Sequence, residues 1–271
     1  MKKVGILYHP KIAAAKAFAE ELAGYLPSLN AVVWLCSAWD EEDARTQVGS
    51  TELILSVGGD GTILRAARAV APQSIPIVGI NLGKLGFMTE LSIDEARDKL
   101  AALLAGEGWV DERAMLQAKL AGKRTYHALN DVVLGRGTTS RVIYVETTID
   151  GTPLTTYKAD GVIIATATGS TGYSLAAGGP ILYPQSREIL LNPISPHLTF
   201  ANALVLPPTA IVELRVRTDH QAMLSIDGQI NLALESGDTI RVSLSPHAAR
   251  FLRAQPPAFF YSTLMEKLVS K

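Results

Sequence analysis

The chain has 271 residues, 48% of them hydrophobic and 19% charged; this excludes disorder as the main state and suggests two domains rather than one core. Its 25 Lys and Arg against 26 Asp and Glu leave a formal charge of -1, so no chain-wide positive field favours a nucleic-acid backbone or an acidic membrane surface. The single cysteine, Cys36, excludes an internal disulfide and a thiolate metal cage and fits a reducing cytoplasm.

Residues 4–8 after Met1-Lys2-Lys3 imitate the start of a signal peptide, but the apolar run stops at His9-Pro10-Lys11, too short for a signal core. No later run approaches the roughly 20 apolar residues that span a bilayer. Residues 4–8 read instead as a buried strand, followed by a helix over 13–26 with Phe18, Leu22 and Leu26 on one face, and by a second strand over 31–35. A strand over 53–57 runs into Gly58-Gly59-Asp60-Gly61 and a helix over 62–70, which puts the glycines at a strand-to-helix turn. A strand over 75–80 and a helix over 93–104 follow, the helix capped by Ser92 with Glu95 three residues on. Strands alternating with helices imply a Rossmann-like parallel sheet covered on both faces.

After Trp109 the texture changes to short, β-prone runs at 114–120, 127–134, 141–149, 162–167, 211–217, 221–226 and 239–244, with Asp150-Gly151 as a hairpin turn. The expected organisation is an α/β domain over 1–110 and a mainly β, sandwich-like domain over 111–255. The helix-compatible stretch 259–269 either packs back on the first domain, so that 256–271 joins it, or frays.

Gly58-Gly59-Asp60-Gly61-Thr62 is the most informative segment. Glycines admit a phosphate close to the backbone, and the first N–H groups of the following helix point there with the positive end of its dipole. A carboxylate in such a cradle is unfavourable without a role, such as taking a proton from an attacking hydroxyl or holding Mg²⁺. The alternative is a tight turn with Asp60 as helix N-cap. Other phosphate patterns fail: Gly83-Lys84 is followed by Leu85 rather than Ser or Thr, and no Gly-x-Gly-x-x-Gly follows the first strand.

These residues resemble the NAD kinases, part of a wider group that shares the Gly-Gly-Asp-Gly-Thr turn with phosphofructokinases and diacylglycerol-type lipid kinases. The resemblance continues through Asn81-Leu82-Gly83-Lys84-Leu85-Gly86-Phe87, Leu129-Asn130-Asp131-Val132-Val133, Asp160-Gly161, the run from Thr168 to Pro180, and Asp227-Gly228-Gln229. It implies a phosphofructokinase-like first domain that binds the phosphate donor through Gly58, Gly59, Gly61 and Thr62, with the β domain binding NAD. It implies Asp60 as catalytic base, with Gly61, Arg65 and Phe87 beside the dinucleotide. Asn130 and Asp131 resemble the pair that holds the hydroxyls of the adenosine ribose, a role suited to one donor–acceptor amide and one acceptor carboxylate; a lone Asn-Asp pair also serves as a plain turn.

Thr171, Gly172 and Tyr173 are similar to the segment contacting adenine and ribose, with Ser174, Leu175 and Ala176 following, although a tyrosine alone is also simply half-buried with a wet hydroxyl. The resemblance makes Lys158 and Asp160 contacts to a dinucleotide bound mainly by a neighbouring subunit, and Arg141 and Gln229 further contacts. Relatives commonly carry Ser-x-Arg-Pro where this chain has Phe200-Ala201-Asn202-Ala203, so Asn202 replaces an arginine. His9, His127, His197, His220 and His247 show no metal-ligand spacing.

The implied activity is phosphoryl transfer from ATP, or from polyphosphate, to the 2'-hydroxyl of the adenosine ribose of NAD, giving NADP. Mg²⁺ or another divalent cation enters with the donor, and the implied assembly is a cytoplasmic homodimer or homotetramer with shared sites. Two rivals are a lipid or sugar kinase using the same turn, which melting shifts with NAD, lipid or hexose phosphate separate, and a non-catalytic NADP sensor, which needs no acid at position 60.

Overall fold

The apolar runs at 4–7, 53–57 and 77–80 are buried on both faces, as central strands of a parallel sheet between helical layers must be, while the run at 31–35 is partly exposed, as an edge strand is. In the computed structural model, which describes residues 1–83, 86–137, 141–197 and 200–269, the chain divides into one unit of Met1–Glu112 with Ala249–Lys271 and a second of Arg113–Ala248. In the first unit, β1 (Lys2–Tyr8), α1 (Ala13–Tyr25), β2 (Ala31–Ser37), α2 (Glu41–Gln47), β3 (Leu53–Val57), α3 (Asp60–Val70) and β4 (Pro76–Asn81) alternate, and the strands lie parallel in the order β2-β1-β3-β4. Every residue of β3 is buried. The short β5 (Leu91–Ser92) adds to β4 and leads into α4 (Ile93–Leu104), whose capping box is formed as the sequence predicts: Ser92 Oγ accepts the Glu95 N–H and Glu95 Oε2 accepts the Ser92 N–H.

Two details differ from the sequence expectation. Helix α3 starts at Asp60 rather than at residue 62, with Gly59 as its N-cap, so Asp60 is the first helical residue and not the cap. Helix α2 was not expected; Asp40 caps it by accepting the Asp43 N–H at 3.2 Å, and three acidic residues fill its first turn.

The second unit is entered by β6 (Trp109–Leu120), which crosses the division at residue 112 without a break. The predicted strand over 127–134 is two strands, β7 (Thr125–Ala128) and β8 (Asp131–Arg136), separated at Leu129-Asn130 by a backbone turn. Next come β9 (Ile143–Ile149), β10 (Thr152–Ala159) and β11 (Gly161–Ala165), then α5 (Tyr173–Ala176) and β12 (Ile189–Ile194). The unit ends with β13 (Leu204–Leu206), β14 (Val212–Arg217), β15 (Ala222–Ile226), β16 (Ile230–Leu234) and β17 (Thr239–Arg253). One antiparallel sheet runs β10-β9-β14-β17 with β6 and β7 beyond, the other β13-β12-β11-β8-β15-β16. A single cluster of buried Leu116, Val145, Tyr157 and Val212 from the first sheet with Val162, Leu191 and Leu224 from the second fills the space between them. This is the expected sandwich.

Strand β17 continues past Leu244 to Arg253 and pairs Arg250-Phe251 in parallel with Pro76-Ile77 of β4, which is why the first unit resumes at residue 249 rather than 256. The chain closes with α6 (Phe259–Val269), within that unit. Among the described residues no helix is long and apolar enough to cross a membrane.

Candidate active site

In the first unit the glycine turn lies between β3 and α3, and the Gly58 N–H is tied to Ile80 O of β4 at 2.9 Å. The carboxylate of Asp60 faces the segment after β4: Phe87 N–H donates to its Oδ2 at 3.0 Å and Met88 N–H to its Oδ1 at 3.2 Å. Two backbone donors fix both oxygens while the side chain remains half-buried, an orientation that suits an acceptor of protons. Gly86 is required there, because a Cβ at that position would strike the Asp60 carboxylate. The Thr62 hydroxyl, by contrast, is buried against Gly58 without a hydrogen-bond partner. Arg65, one turn along α3, lies with its guanidinium 4.1 Å over the Trp39 ring, which also meets the His9 ring at 4.4 Å; burial draws its pKa down. Phe87 is half-buried, and Lys84 and Leu85 of the second motif lie outside the described residues.

In the second unit the break between β7 and β8 exists because a carboxylate from far along the chain holds it open. Asp227, at the β15–β16 turn, accepts the N–H groups of Leu129 (2.9 Å), Asn130 (2.7 Å) and Asp131 (3.1 Å). From the other side Thr166 Oγ1 donates to Leu129 O at 2.6 Å, and Thr166 N–H donates to Asn130 O at 2.9 Å. The glycine-rich run is stitched to the same place: a Cβ at Gly169 would collide with Asn130 O, and Gly172 lies close to the Asn130 amide nitrogen. Asn130 and Asp131 are thus presented by a backbone clamped on two sides.

The electrostatics of the pair are unusual. Asp131 is buried, and burial first, then the negative charge of Asp227, push its carboxyl up to about 7. The Asn130 Oδ1 is buried with no hydrogen-bond partner, an acceptor that a bound hydroxyl would satisfy. Asn130, Asp131, Thr171, Gly172 and Tyr173 therefore gather at one end of this unit. Tyr173 is 48% exposed and lines a cavity of about 440 Å³ with Asp160, Arg136 and Ser225. Asp160 pairs with Arg136 of its own chain at 3.0 Å. Lys158 and Arg141 line a different groove, of about 980 Å³, together with His197 and His220. Ser174 points inward, fully buried, where Asn192 Nδ2 donates to its carbonyl at 3.0 Å. Leu175 and Gln229 are half-buried and Ala176 is exposed.

Sequence reasoning did not single out Asp227 as a site residue, nor Thr166, Asn192 or the Gly86 contact; only the Asp-Gly-Gln motif carried a signal for the first.

Comparison with known proteins agrees with this geometry. The model of the ATP-NAD kinase N-terminal domain matches residues 14–108, and that of the ATP-NAD kinase C-terminal domain matches residues 129–254. The chain is 50% identical to an NAD kinase of Dehalococcoides mccartyi over 98% of this chain and 96% of that one. It is 41% identical to an NAD kinase of Chloroflexus aurantiacus over 99% of each. Among solved structures, a yeast NADH kinase complexed with NADH superposes with a TM-score of 0.88 at 26% identity, covering 100% of this chain and 88% of that one. An Archaeoglobus fulgidus NAD kinase in complex with ATP gives 0.80 at 26% identity, with 100% of both chains covered.

Proposed function

Because the chain belongs to the NAD kinase family, we propose that Asp60 is the base of its reaction and that Asn130 and Asp131 hold the ribose it acts on. The activity itself is that of a phosphotransferase, moving a phosphoryl group from ATP or another donor to the 2'-hydroxyl of the adenosine ribose of NAD to give NADP.

In this reading the donor's phosphates lie against the glycine turn, where Gly59 and Gly61 leave open space, Gly58 makes way for the Thr62 side chain, and the first N–H groups of α3 offset the phosphates' charge. The single observation that carries Asp60 is the pair of N–H bonds from Phe87 and Met88, which orient both carboxylate oxygens at the head of α3. A base held this way takes the proton from the ribose 2'-hydroxyl as that oxygen attacks the donor's terminal phosphorus, and the bond to the leaving phosphate breaks. Asn130 and Asp131 fix the ribose hydroxyls, the open acceptor of Asn130 taking one of them. Tyr173 offers a ring face to the adenine, and Thr171, Gly172, Leu175, Ala176 and Gln229 border it. Ser174 acts from inside, through Asn192, rather than by touching the nucleotide.

In this reading Mg²⁺, or another divalent cation, comes with the donor. Such a cation would neutralise the donor's phosphates. Lys158, Asp160 and Arg141 are proposed to reach a neighbouring copy's dinucleotide in a cytoplasmic homodimer or homotetramer. The Asp160–Arg136 pair leaves Asp160 about one-third exposed and able to turn outward.

The decisive experiment is Asp60→Asn, assayed with NAD and ATP. The expected outcome is NAD affinity within a few fold of the parent and turnover lower by about 10² or more; near-normal turnover would remove Asp60 from the reaction.

A further inference from the structure

The segment that orients Asp60 is irregular backbone, and something must hold it at a fixed distance from α3. Glu90 N–H donates to Gly79 O of β4 at 2.8 Å, and Gly86 N–H donates to Thr89 Oγ1 at 2.5 Å. The remaining restraint comes from the far end of the sequence. Arg253, the last residue of β17, donates from Nη1 to Met88 O at 2.9 Å and to Glu90 Oε2 at 3.1 Å, and from Nε to Asp111 Oδ2 at 3.1 Å. Glu90 Oε1 in turn accepts the N–H groups of Ala254 and Gln255, each at 2.8 Å. Arg253, Glu90 and Asp111 are all buried, as is Met88.

One guanidinium between two carboxylates is a poor device for stability alone. Desolvating three charges offsets most of their attraction, and well-packed apolar side chains of similar volume often serve as well or better. What the cluster supplies is direction: it grips the carbonyl side of Met88 while the N–H side of the same residue grips Asp60. We propose that Arg253 and Glu90 are positioning residues for the phosphoryl transfer, locking segment 86–90 so that its N–H groups hold the Asp60 carboxylate toward the attacking hydroxyl. This rests on Asp60 as the base.

Glu90→Gln keeps one oxygen for Ala254 and Gln255 but turns an amide donor toward Arg253. Arg253→Lys keeps the charge and loses the fork, and Arg253→Met loses both. Arg250→Gln, on the same strand with an exposed partner in Glu112, is the control. Steady-state kinetics and melting temperatures are measured for all four beside Asp60→Asn.

The expected result is kcat reduced roughly tenfold or more in Glu90→Gln and further in Arg253→Met, with Arg253→Lys intermediate. KM for NAD stays within about twofold in each, because the groups binding ribose are not touched, and Arg250→Gln behaves as the parent. Should Arg253→Met fail to fold, Glu90→Gln and Arg253→Lys carry the comparison. Parental kcat in folded Glu90→Gln and Arg253→Lys, with Asp60→Asn inactive, overturns the positioning role alone. An active Asp60→Asn overturns the base assignment instead. Loss of kcat that only parallels a loss of NAD affinity and of melting temperature reduces the cluster to scaffolding and also overturns the proposal.

Discussion

Replacing Asp227 by Asn isolates the clamp on the Asn130–Asp131 turn. The amide is nearly isosteric, and Asn tolerates the φ of 52° at this position, so the backbone has no reason to move on its own account. The carboxylate gives Oδ1 to two N–H groups, those of Asn130 and Asp131, and Oδ2 to that of Leu129. An amide oxygen in the Oδ1 place keeps the first two bonds but makes them neutral, and the amide nitrogen then meets the Leu129 N–H donor to donor. Losing one charge-assisted bond and leaving one buried donor unmet costs about 2–4 kcal/mol. Relief of the repulsion between Asp227 and Asp131 returns part of this, so a net loss of about 2 kcal/mol is expected, seen as a fall of roughly 4–8 °C in melting temperature. The same displacement of Asn130 and Asp131 should weaken NAD binding about tenfold, equivalent to about 1.4 kcal/mol. Scanning calorimetry and titration calorimetry on the same preparation, its intact mass verifying the amide, read both quantities. NAD affinity unchanged within twofold would refute the clamp as a determinant of binding.

Tyr173→Ala removes a half-exposed ring and is expected to weaken NAD binding by about 1–3 kcal/mol with the melting temperature unmoved; unchanged affinity by calorimetry would make the ring incidental. Asp131 provides a pH test. Its folded carboxyl is raised to about 7, whereas unfolded Asp titrates near 3.9, so between these values the folded chain binds the extra proton. Stability should therefore fall as pH rises from about 4 to about 7 and level off above. Asp131→Asn should remove that slope, and parallel denaturation series with the same slope in both chains would show that another group is responsible.

Much of the fold was written locally. Ser92 and Glu95 announce the start of α4, and the uninterrupted apolar run of β3, ending in glycines, announces a buried strand meeting a helix. The Asp40 cap and the acidic first turn after it are the local signal for α2. The strand β10 is hard to see in the sequence because Thr152 to Thr156 and Lys158 are exposed or half-buried, and only Tyr157 and Ala159 at its end face the core; its pairing with β9 completes the definition. The candidate site divides in the same way. Gly58 to Thr62, Asn130, Asp131 and Tyr173 were legible as motifs, because the chemistry that needs them lies within a few consecutive residues. Asp227, Glu90 and Arg253 were not, since each acts on a backbone segment about 100 or more positions away, and a carboxylate that accepts main-chain N–H groups leaves no periodicity behind. Ser174 shows the reverse: it lies inside a motif legible in the sequence, while its side chain faces the interior beside Asn192.

The first unit is assembled from two stretches of sequence with the whole of the second unit between them. On a ribosome, the Pro76–Ile77 part of β4 is therefore made well before Arg250–Phe251, its neighbour in the sheet. About 170 intervening residues, at roughly 5–20 residues per second, amount to a delay on the order of 10 s. During that interval the nascent α/β half has an open strand edge, the kind of surface that recruits stray β-chains, and Glu90 and Asp111 must remain hydrated for want of their arginine. The antiparallel half is continuous in sequence and is free to fold as it emerges. Translation thus delivers the antiparallel half before Arg253, so a chain stalled short of that residue would carry the Gly58–Thr62, Asn130–Asp131 and Thr171–Tyr173 segments and still lack the buried guanidinium that ties Met88, Glu90 and Asp111 together.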